Sequence, residues 1–333
     1  MSPFSHAVGK SPGRDKLSFG AVLLLLEWER KRIMEIAKAV VRTGLHTMVW
    51  KWASGVVICK PGLDDYTNLK AYSFIAQLSC IGKVVEKVVA ELLAKEAGIR
   101  ELLSNGQYGN RKRRLAINVA AIMVDWAHPA WREARIAGVL LMDIKTAFRS
   151  VGRGRQIHTM RGKGMDWDLV RWTASSLTDR TVKTVLKGNV MERHPMEVSV
   201  PHGSLVSPIL FAIYTSGVIK RAKVKVSRSE GLSLVDVVGW VVSGNDINQV
   251  IRTLEACARV SIDWVERREL QFDTAETEGA LFTRRLGHKK HLRVKLSVKI
   301  RVGNGFVRFD REATRCLGVL MDAHLMFTVL HNR

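Results

Sequence analysis

Two aspartates stand out by their surroundings. Asp143 closes the apolar run IAGVLLMD (136–143), and Asp236 interrupts GLSLVDVVGWVVSG (231–244), where β-branched residues flank it and glycine closes both ends. A carboxylate beside apolar strands is costly unless it is paired, ligated or wet. Asp236 is therefore paired, bound to a cation, or placed at a solvated tip. Two such carboxylates brought together at strand ends form an all-oxygen site suited to magnesium or manganese. A cation held there would neutralise phosphate charge and activate an attacking oxygen, which is phosphoryl-transfer chemistry. By spacing alone, two strand-end aspartates are equally ordinary turn residues.

The charge balance points to what such a site would act on. The 333 residues carry 53 Lys+Arg against 31 Asp+Glu, a net charge of +22. A surplus of that size implies a polyanionic partner, most simply nucleic acid. With 47% hydrophobic and 25% charged residues the chain is globular rather than disordered, and it is long enough for two domains or one large core. Cys59, Cys80, Cys257 and Cys316 are far apart and form no Cys/His cluster, so neither a zinc site nor a disulfide framework is expected. Reduced thiols suit a nuclear or cytoplasmic protein. The early apolar run Phe19–Leu26 is too short to span a bilayer, and nothing resembles a cleavable signal. Neither a membrane nor an obligate protein partner is expected.

The elements that must position the aspartates follow from hydrophobic periodicity. Residues 136–143 are apolar almost throughout, which suits a strand buried on both faces. Residues 231–244 read as two strands joined by a turn. Helical spacing predicts helices over 17–42, 82–97, 115–133, 166–176, 206–219 and 245–268. Further strands are expected at 56–59, 182–186, 196–200, 281–283, 299–302 and 306–309, with Lys187-Gly188-Asn189 and Gly303-Asn304-Gly305 as turns. Residues 1–16 read as a disordered tail and 17–44 as an N-terminal helical segment. Strands and helices mix without regular alternation, so the expected class is α+β.

The local sequences around the aspartates narrow this further. MDIKTAFRSV (142–151), VPHGSLVSPILFAIYTSG (200–217), LSLVDVVGW (232–240), FDTAETEGALF (272–282) and ATRCLGVLMDAHLMF (313–327) follow one another in order. KPGLDDYTNLKAY (60–72), IGKVVEKVVAELL (81–93) and GQYGNRKRR (106–114) precede or join them. Together these blocks resemble the reverse transcriptase domain of non-LTR (LINE-type) retrotransposons, most closely the fungal elements, over about residues 45–333. The resemblance implies a right-hand polymerase with a fingers-like region at 45–135 and a palm-like region at 136–333. The thumb is expected to be absent or incomplete, since the chain stops at Arg333, and no endonuclease or RNase H domain is expected. The implied activity is RNA-directed DNA polymerisation with two Mg²⁺ or Mn²⁺ ions, an RNA template, a DNA primer and dNTPs.

Residue by residue, the resemblance implies that Asp143 and Asp236 are the metal-binding, catalytic aspartates. Phe148 matches the aromatic steric gate that favours dNTPs, although alone it reads as a core aromatic. Gly203 and Ser204 match the loop under the nascent base pair, and Pro208-Ile209-Leu210 the helix after it. Lys60 matches a fingers lysine that meets the triphosphate. Arg111, Lys112, Arg113 and Arg114 follow Gln107-Tyr108-Gly109 where the template strand would lie, although alone they read as a solvated charge run.

Several positions depart from the family pattern. Val237 replaces the second aspartate of the hairpin, His202 a glutamine, Leu205 a proline, and Ser73 a fingers arginine that would touch the triphosphate. Arg149 replaces an acidic or small residue. Glu276 replaces a lysine that would protonate the leaving pyrophosphate, and a positioned proton donor is typically worth ~10²–10⁴-fold. Impaired catalysis is expected. The alternatives are a catalytically dead nucleic-acid-binding domain or a pseudogene product.

Overall fold

The computed structural model describes residues 12–13, 15–59, 61–62, 65–68, 71–109, 111, 114, 116–186, 189–196, 200–201, 203–282, 299–309, 313–316, 319–322 and 325. Two compact units divide the chain, one within 1–102 and 148–214, the other within 103–147 and 215–333. The chain therefore passes between them at 102/103, 147/148 and 214/215, where the sequence suggested one boundary near 135/136.

Elements are numbered in chain order. The first unit begins with α1 (Phe19–Trp28) and α2 (Arg30–Thr43). The single helix expected over 17–42 is thus two, broken at Glu29 (φ −116°, ψ 26°). The disordered reading of residues 1–16 does not extend to Asp15, whose carboxylate accepts from the Ser79 hydroxyl at 2.6 Å. Four strands form this unit's sheet: β1 (Trp52–Cys59), β2 (Tyr72–Gln77), β4 (Thr181–Leu186) and β5 (Asn189–Pro195), in the order β2-β1-β4-β5. Only the β1–β4 pair is parallel. Strand β5 begins at Asn189, which pairs with Leu186; Met196 falls outside it, and residues 197–199 of the strand expected at 196–200 lie outside the described residues. The helices are α3 (Cys80–Ile99), α5 (Ala147–Ser150), α6 (Arg153–Gly162), α7 (Trp167–Ser176) and α8 (Ser207–Thr215). Ser79 caps α3 by accepting from the Gly82 amide, and Asp166 caps α7 by accepting from those of Asp168 and Leu169. Leu93, Met160, Trp172, Ile209, Phe211 and Tyr214 are fully buried in this unit.

The second unit is built on an antiparallel sheet of β6 (Ser229–Leu234), β7 (Val237–Gly244), β3 (Ile136–Ile144) and β8 (Phe272–Phe282), in the order β6-β7-β3-β8. Central strand β3 is covered on both faces, as its composition predicts. Ala137, Val139 and Leu141 pack with Val119, Met123 and Ala127 of α4 (Ala116–Arg132). On the other face Gly138 admits α10 (Ile247–Glu266): a Cβ there would lie 2.4 Å from Val250. The buried Trp240 indole of β7 donates to Ser261 of α10 at 3.0 Å. The helix expected at 206–219 divides into α8 and α9 (Gly217–Lys225), and Gly217 abuts the Trp264 ring. Hairpins β9 (Lys299–Val302)–β10 (Gly305–Arg308) and β11 (Ala313–Cys316)–β12 (Val319–Asp322) complete the unit.

Strand β8 is far longer than the expected 281–283. An edge strand needs only one buried face, so Asp273, Glu276 and Glu278 hid its first half from a hydrophobicity pattern. No helix among the described residues is long and apolar enough to cross a membrane.

Candidate metal centre

The register of the second sheet places Asp143 at its centre. Val237 lies opposite Asp143 on β7, and Asp273 lies opposite it on β8. Asp236 sits in the two-residue turn between β6 and β7, and its carbonyl accepts from the Ile144 amide at 2.9 Å. On the other side the Lys145 amide donates to the Gln271 carbonyl at 2.8 Å. Both flanking strands are thus stitched to the end of β3. The two aspartates picked out from sequence are neighbours in space, with backbone hydrogen bonds fixing their strands. Val235, before Asp236 in the turn, has φ +54°, a conformation costly for a β-branched residue and one found where a site over-determines the backbone.

Electrostatics confirm the crowding. Burial first, then the charges of Asp236, Glu276 and Asp273 and a side-chain hydrogen bond with Glu276, together raise the Asp143 carboxyl from its ordinary value to about 7. Asp273 is turned away toward its own strand, accepting from the Ala275 amide at 3.0 Å.

Among the described residues no three His, Cys, Asp or Glu side chains converge closely enough to hold a metal ion as they stand. The donor set nonetheless fits a hard divalent cation. It is all carboxylate oxygen, and Asp143 is raised toward its acid form first by burial and then by negative neighbours whose repulsion a cation would relieve.

A loop braces the hairpin. The Ser233 amide donates to Gly106 at 2.8 Å and the Tyr108 amide to Ser233 at 2.7 Å, adding residues 106–108 alongside β6. The approach is so close that a Cβ at Gly106 would lie 1.9 Å from the Gly231 carbonyl oxygen, and one at Gly109 would lie 2.5 Å from the Val235 nitrogen. Arg111 donates to the carbonyls of Ser104 (3.0 Å) and Gln107 (3.3 Å). Arg114 donates to the Asn105 carbonyl and lies over the Tyr108 ring, 5.0 Å from its centroid. These two cations of the expected basic cluster tie down the loop instead of forming a freely solvated run. Burial and the neighbouring Arg114 both lower the Arg111 pKa. Lys112 and Arg113 lie outside the described residues.

In the first unit, Gly203 has φ +106°, and a Cβ there would meet the Ala76 carbonyl oxygen at 2.8 Å. Both facts require glycine. Ser204 was expected to touch the nucleotide, yet it is buried and its hydroxyl donates to Glu86 at 2.8 Å. The Leu205 amide donates to the same carboxylate oxygen at 3.0 Å, and Arg180 pairs with the other at 3.4 Å. Ser204 therefore holds the loop's backbone. The Phe148 ring lies 5.5 Å from that of Phe211, and Ser73 pairs with Ile58 in the β1–β2 ladder. Lys60 and His202 lie outside the described residues.

Sequence reasoning missed Asp273 and the Glu86–Arg180 pair. Glu86 carried a usable signal, a carboxylate among the buried Val84, Val85 and Val89 of α3. Asp273 carried none beyond its motif.

Residues 58–259 match the family model for reverse transcriptase (RNA-dependent DNA polymerase). The RNA-directed DNA polymerase from mobile element jockey of Drosophila melanogaster is 21% identical over 322 residues, covering 96% of this chain and 34% of that protein. The probable RNA-directed DNA polymerase from transposon BS of the same organism is 22% identical over 321 residues, with 96% and 34% covered. That from transposon X-element is 23% identical over 208 residues, with 62% and 22% covered. The chain spans about a third or less of the length of these relatives. Among solved structures, apo telomerase from Candida tropicalis, truncated from its C-terminal domain, superposes with a TM-score of 0.52 at 11% identity. It covers 82% of this chain and 55% of that one, and speaks for the fold alone.

Proposed function

The chain belongs to the reverse transcriptase family, and from that premise we propose that it carries the fingers and palm of a non-LTR retrotransposon's RNA-directed DNA polymerase. The observation that carries this reading is that Asp143 and Asp236 are brought side by side: Asp143 pairs with Val237, next to Asp236, and the Ile144 amide donates to the Asp236 carbonyl. In the reaction, the primer 3′-oxygen bonds to the α-phosphorus of a dNTP, the α–β anhydride bond breaks, and pyrophosphate leaves.

Divalent cations, magnesium or manganese, would supply charge neutralisation and activation of the primer hydroxyl. Asp143 and Asp236 supply oxygens to hold them. Phe148 screens the sugar 2′ position, and Gly203 shapes the loop under the new base pair while Ser204 fixes that loop through Glu86. Lys60 meets the triphosphate. Arg111 and Arg114 hold the loop that braces the hairpin, beside which the template path would run. Ser73 offers the triphosphate no charge, and Glu276 offers the departing pyrophosphate no ammonium proton, so the reaction is slow.

Primer extension tests this. The purified chain, given an RNA template, an annealed DNA primer, dNTPs and Mg²⁺ or Mn²⁺, should extend the primer slowly, and Asp143→Ala should abolish extension. The Val237→Asp/Glu276→Lys double variant, which restores both family residues, should be faster by about 10² or more. A second reading, a domain that binds nucleic acid without catalysis, is favoured by Val237, which offers no ligand atom. RNA binding with no extension by either protein would establish that reading and sink the polymerase.

A further inference from the structure

The hairpin β9–β10 has one face for the core and one for solvent. Ile300, Val302, Val307 and the following Phe309 are buried. Gly279 of β8 admits the Phe309 ring, since a Cβ there would lie 2.1 Å from it. The Glu255 carboxylate of α10 accepts from the Arg301 amide at 3.1 Å and ties β9 to that helix. The alternate residues Lys299, Arg301, Phe306 and Arg308 are exposed. Side chains alternate along a strand, and the register sets Phe306 opposite Arg301 and Arg308 opposite Lys299, so all four share the outer face. The Arg301 guanidinium donates to the Gly303 carbonyl at 3.3 Å, which holds it at the turn end of that face. An exposed phenylalanine is by itself ordinary. Phe306, however, is 64% exposed while the core-facing positions of its hairpin are already filled, and the other three side chains of its face are all cations. Beside β10 opens a cleft of about 430 Å³, lined by Phe306, Arg308, Thr274, Thr277, Glu278 and Thr314 among others, which is ample for one unstacked base. The Glu278 carboxylate would turn phosphates away from this cleft, so a backbone belongs on the cationic face and a base in the cleft.

We propose that the outer face of the β9–β10 hairpin binds single-stranded nucleic acid, with one base stacked on the Phe306 ring and the flanking phosphates on Lys299, Arg301 and Arg308. The inference rests on the nucleic-acid reading above and on none of its catalysis, so it holds for a slow polymerase and for a non-catalytic binder alike. An aromatic ring among cations suits a single strand. Stacking on a side chain needs a base whose face is not already covered in a duplex, and it tolerates any base because every base has a π face. The three cations track the backbone by charge, releasing counterions as phosphates arrive. A protein partner suits the face less well. A protein hot spot is ringed by contacts that exclude water, whereas Phe306 is the one large apolar side chain on this face and stands among solvated charges.

Fluorescence anisotropy of labelled oligo-uridine RNA and oligo-thymidine DNA, titrated with the full chain, tests the proposal without any turnover. Phe306→Ala should weaken single-strand binding by about fivefold to a hundredfold, and comparison of the two oligomers shows which strand the face holds. Phe306→Leu, which keeps apolar bulk and loses the π face, should weaken it similarly, and Phe306→Trp should retain it. Arg308→Gln should reduce the salt slope by about 0.7, while Phe306→Ala leaves that slope unchanged. Thermal melts run in parallel should coincide, because both side chains are exposed. Unmodified affinity in Phe306→Leu would overturn the stacking. Unmodified affinity in Phe306→Ala together with an unmodified slope in Arg308→Gln would overturn the whole surface and leave the nucleic-acid reading standing. An unmodified chain that binds neither oligomer would overturn both. Self-association that Phe306→Ala abolishes, at unchanged oligomer affinity, would overturn the proposal in favour of a second copy on this face.

Discussion

At the scale of single residues, charge burial decides most of the outcomes. Glu86 and Arg180 are almost wholly inaccessible, and Glu86 also anchors Ser204 and the Leu205 amide. Removing one member of such a pair leaves the other charge buried without a counterion. Glu86→Gln should therefore cost about 3–5 kcal/mol in urea denaturation, and a joint Glu86→Leu/Arg180→Met replacement should recover much of it. Ser204→Ala should cost only about 1 kcal/mol, since a neutral hydroxyl is lost while the ion pair stays. The same reasoning separates Asp143 from the other candidates. Burial and then the negative charges around it favour its acid form.

At the scale of elements, the hairpin that presents Asp236 depends on the loop beside it. Residues 106–109 lie against β6 and the turn so closely that only glycine fits at 106 and 109. Gly106→Ala should force the loop off the hairpin, at a cost of about 1–3 kcal/mol. Amide exchange should then accelerate at Tyr108 and Ser233, whose hydrogen bonds join loop to hairpin, and stay slow in β3. Equal acceleration in β3 would show that the loop and the sheet core open together. The elements also show which patterns can be read in advance. Strand β3 and the β6–β7 hairpin were legible because burial on both faces leaves a continuous apolar run. Strand β8 was not, because Asp273, Glu276 and Glu278 on its less buried side break the apolar pattern.

At the scale of the molecule, two bulk properties carry predictions. The first is acid sensitivity. His46 is 3% exposed, neither ring nitrogen has a hydrogen-bond partner, and its ring lies edge-on to Trp172. Burial, then the charges of Arg180 and Lys51, lower its pKa from 6.5 to about 3. The folded chain therefore keeps the ring neutral, while the unfolded chain takes up a proton below pH 6.5. Stability should hold above that pH and fall as the pH drops from 6.5 toward 3, by at most about 1.4 kcal/mol per pH unit from this group. Urea midpoints at several pH values check this, and His46→Phe should flatten the decline whatever its absolute stability. The second is the net charge of +22. RNA affinity should fall by about tenfold or more between about 50 and about 200 mM salt, and a flat response would contradict phosphate-tracking contacts.

The amino-acid sequence alone determined the class of chemistry, the two aspartates and the order of the motifs. The aspartates stand out by residue type and by the apolar runs around them, and the chemistry is what the resemblance of the ordered blocks implies, all of them local features. Where a side chain ends up among distant neighbours is not local, and only the tertiary structure decided it. In sequence, Ser204 belonged to a nucleotide-contacting loop, and Arg111 and Arg114 to a template-facing cluster. The folded chain turns Ser204 onto Glu86 and the two arginines onto loop carbonyls. Glu276 differs most between the two views. By type it was a lost lysine, remote from Val237 along the chain. A strand bulge that no local pattern announces puts it among residues 274–277, set opposite Met142 alone, while Val237 lies across from Asp143 on the other neighbouring strand.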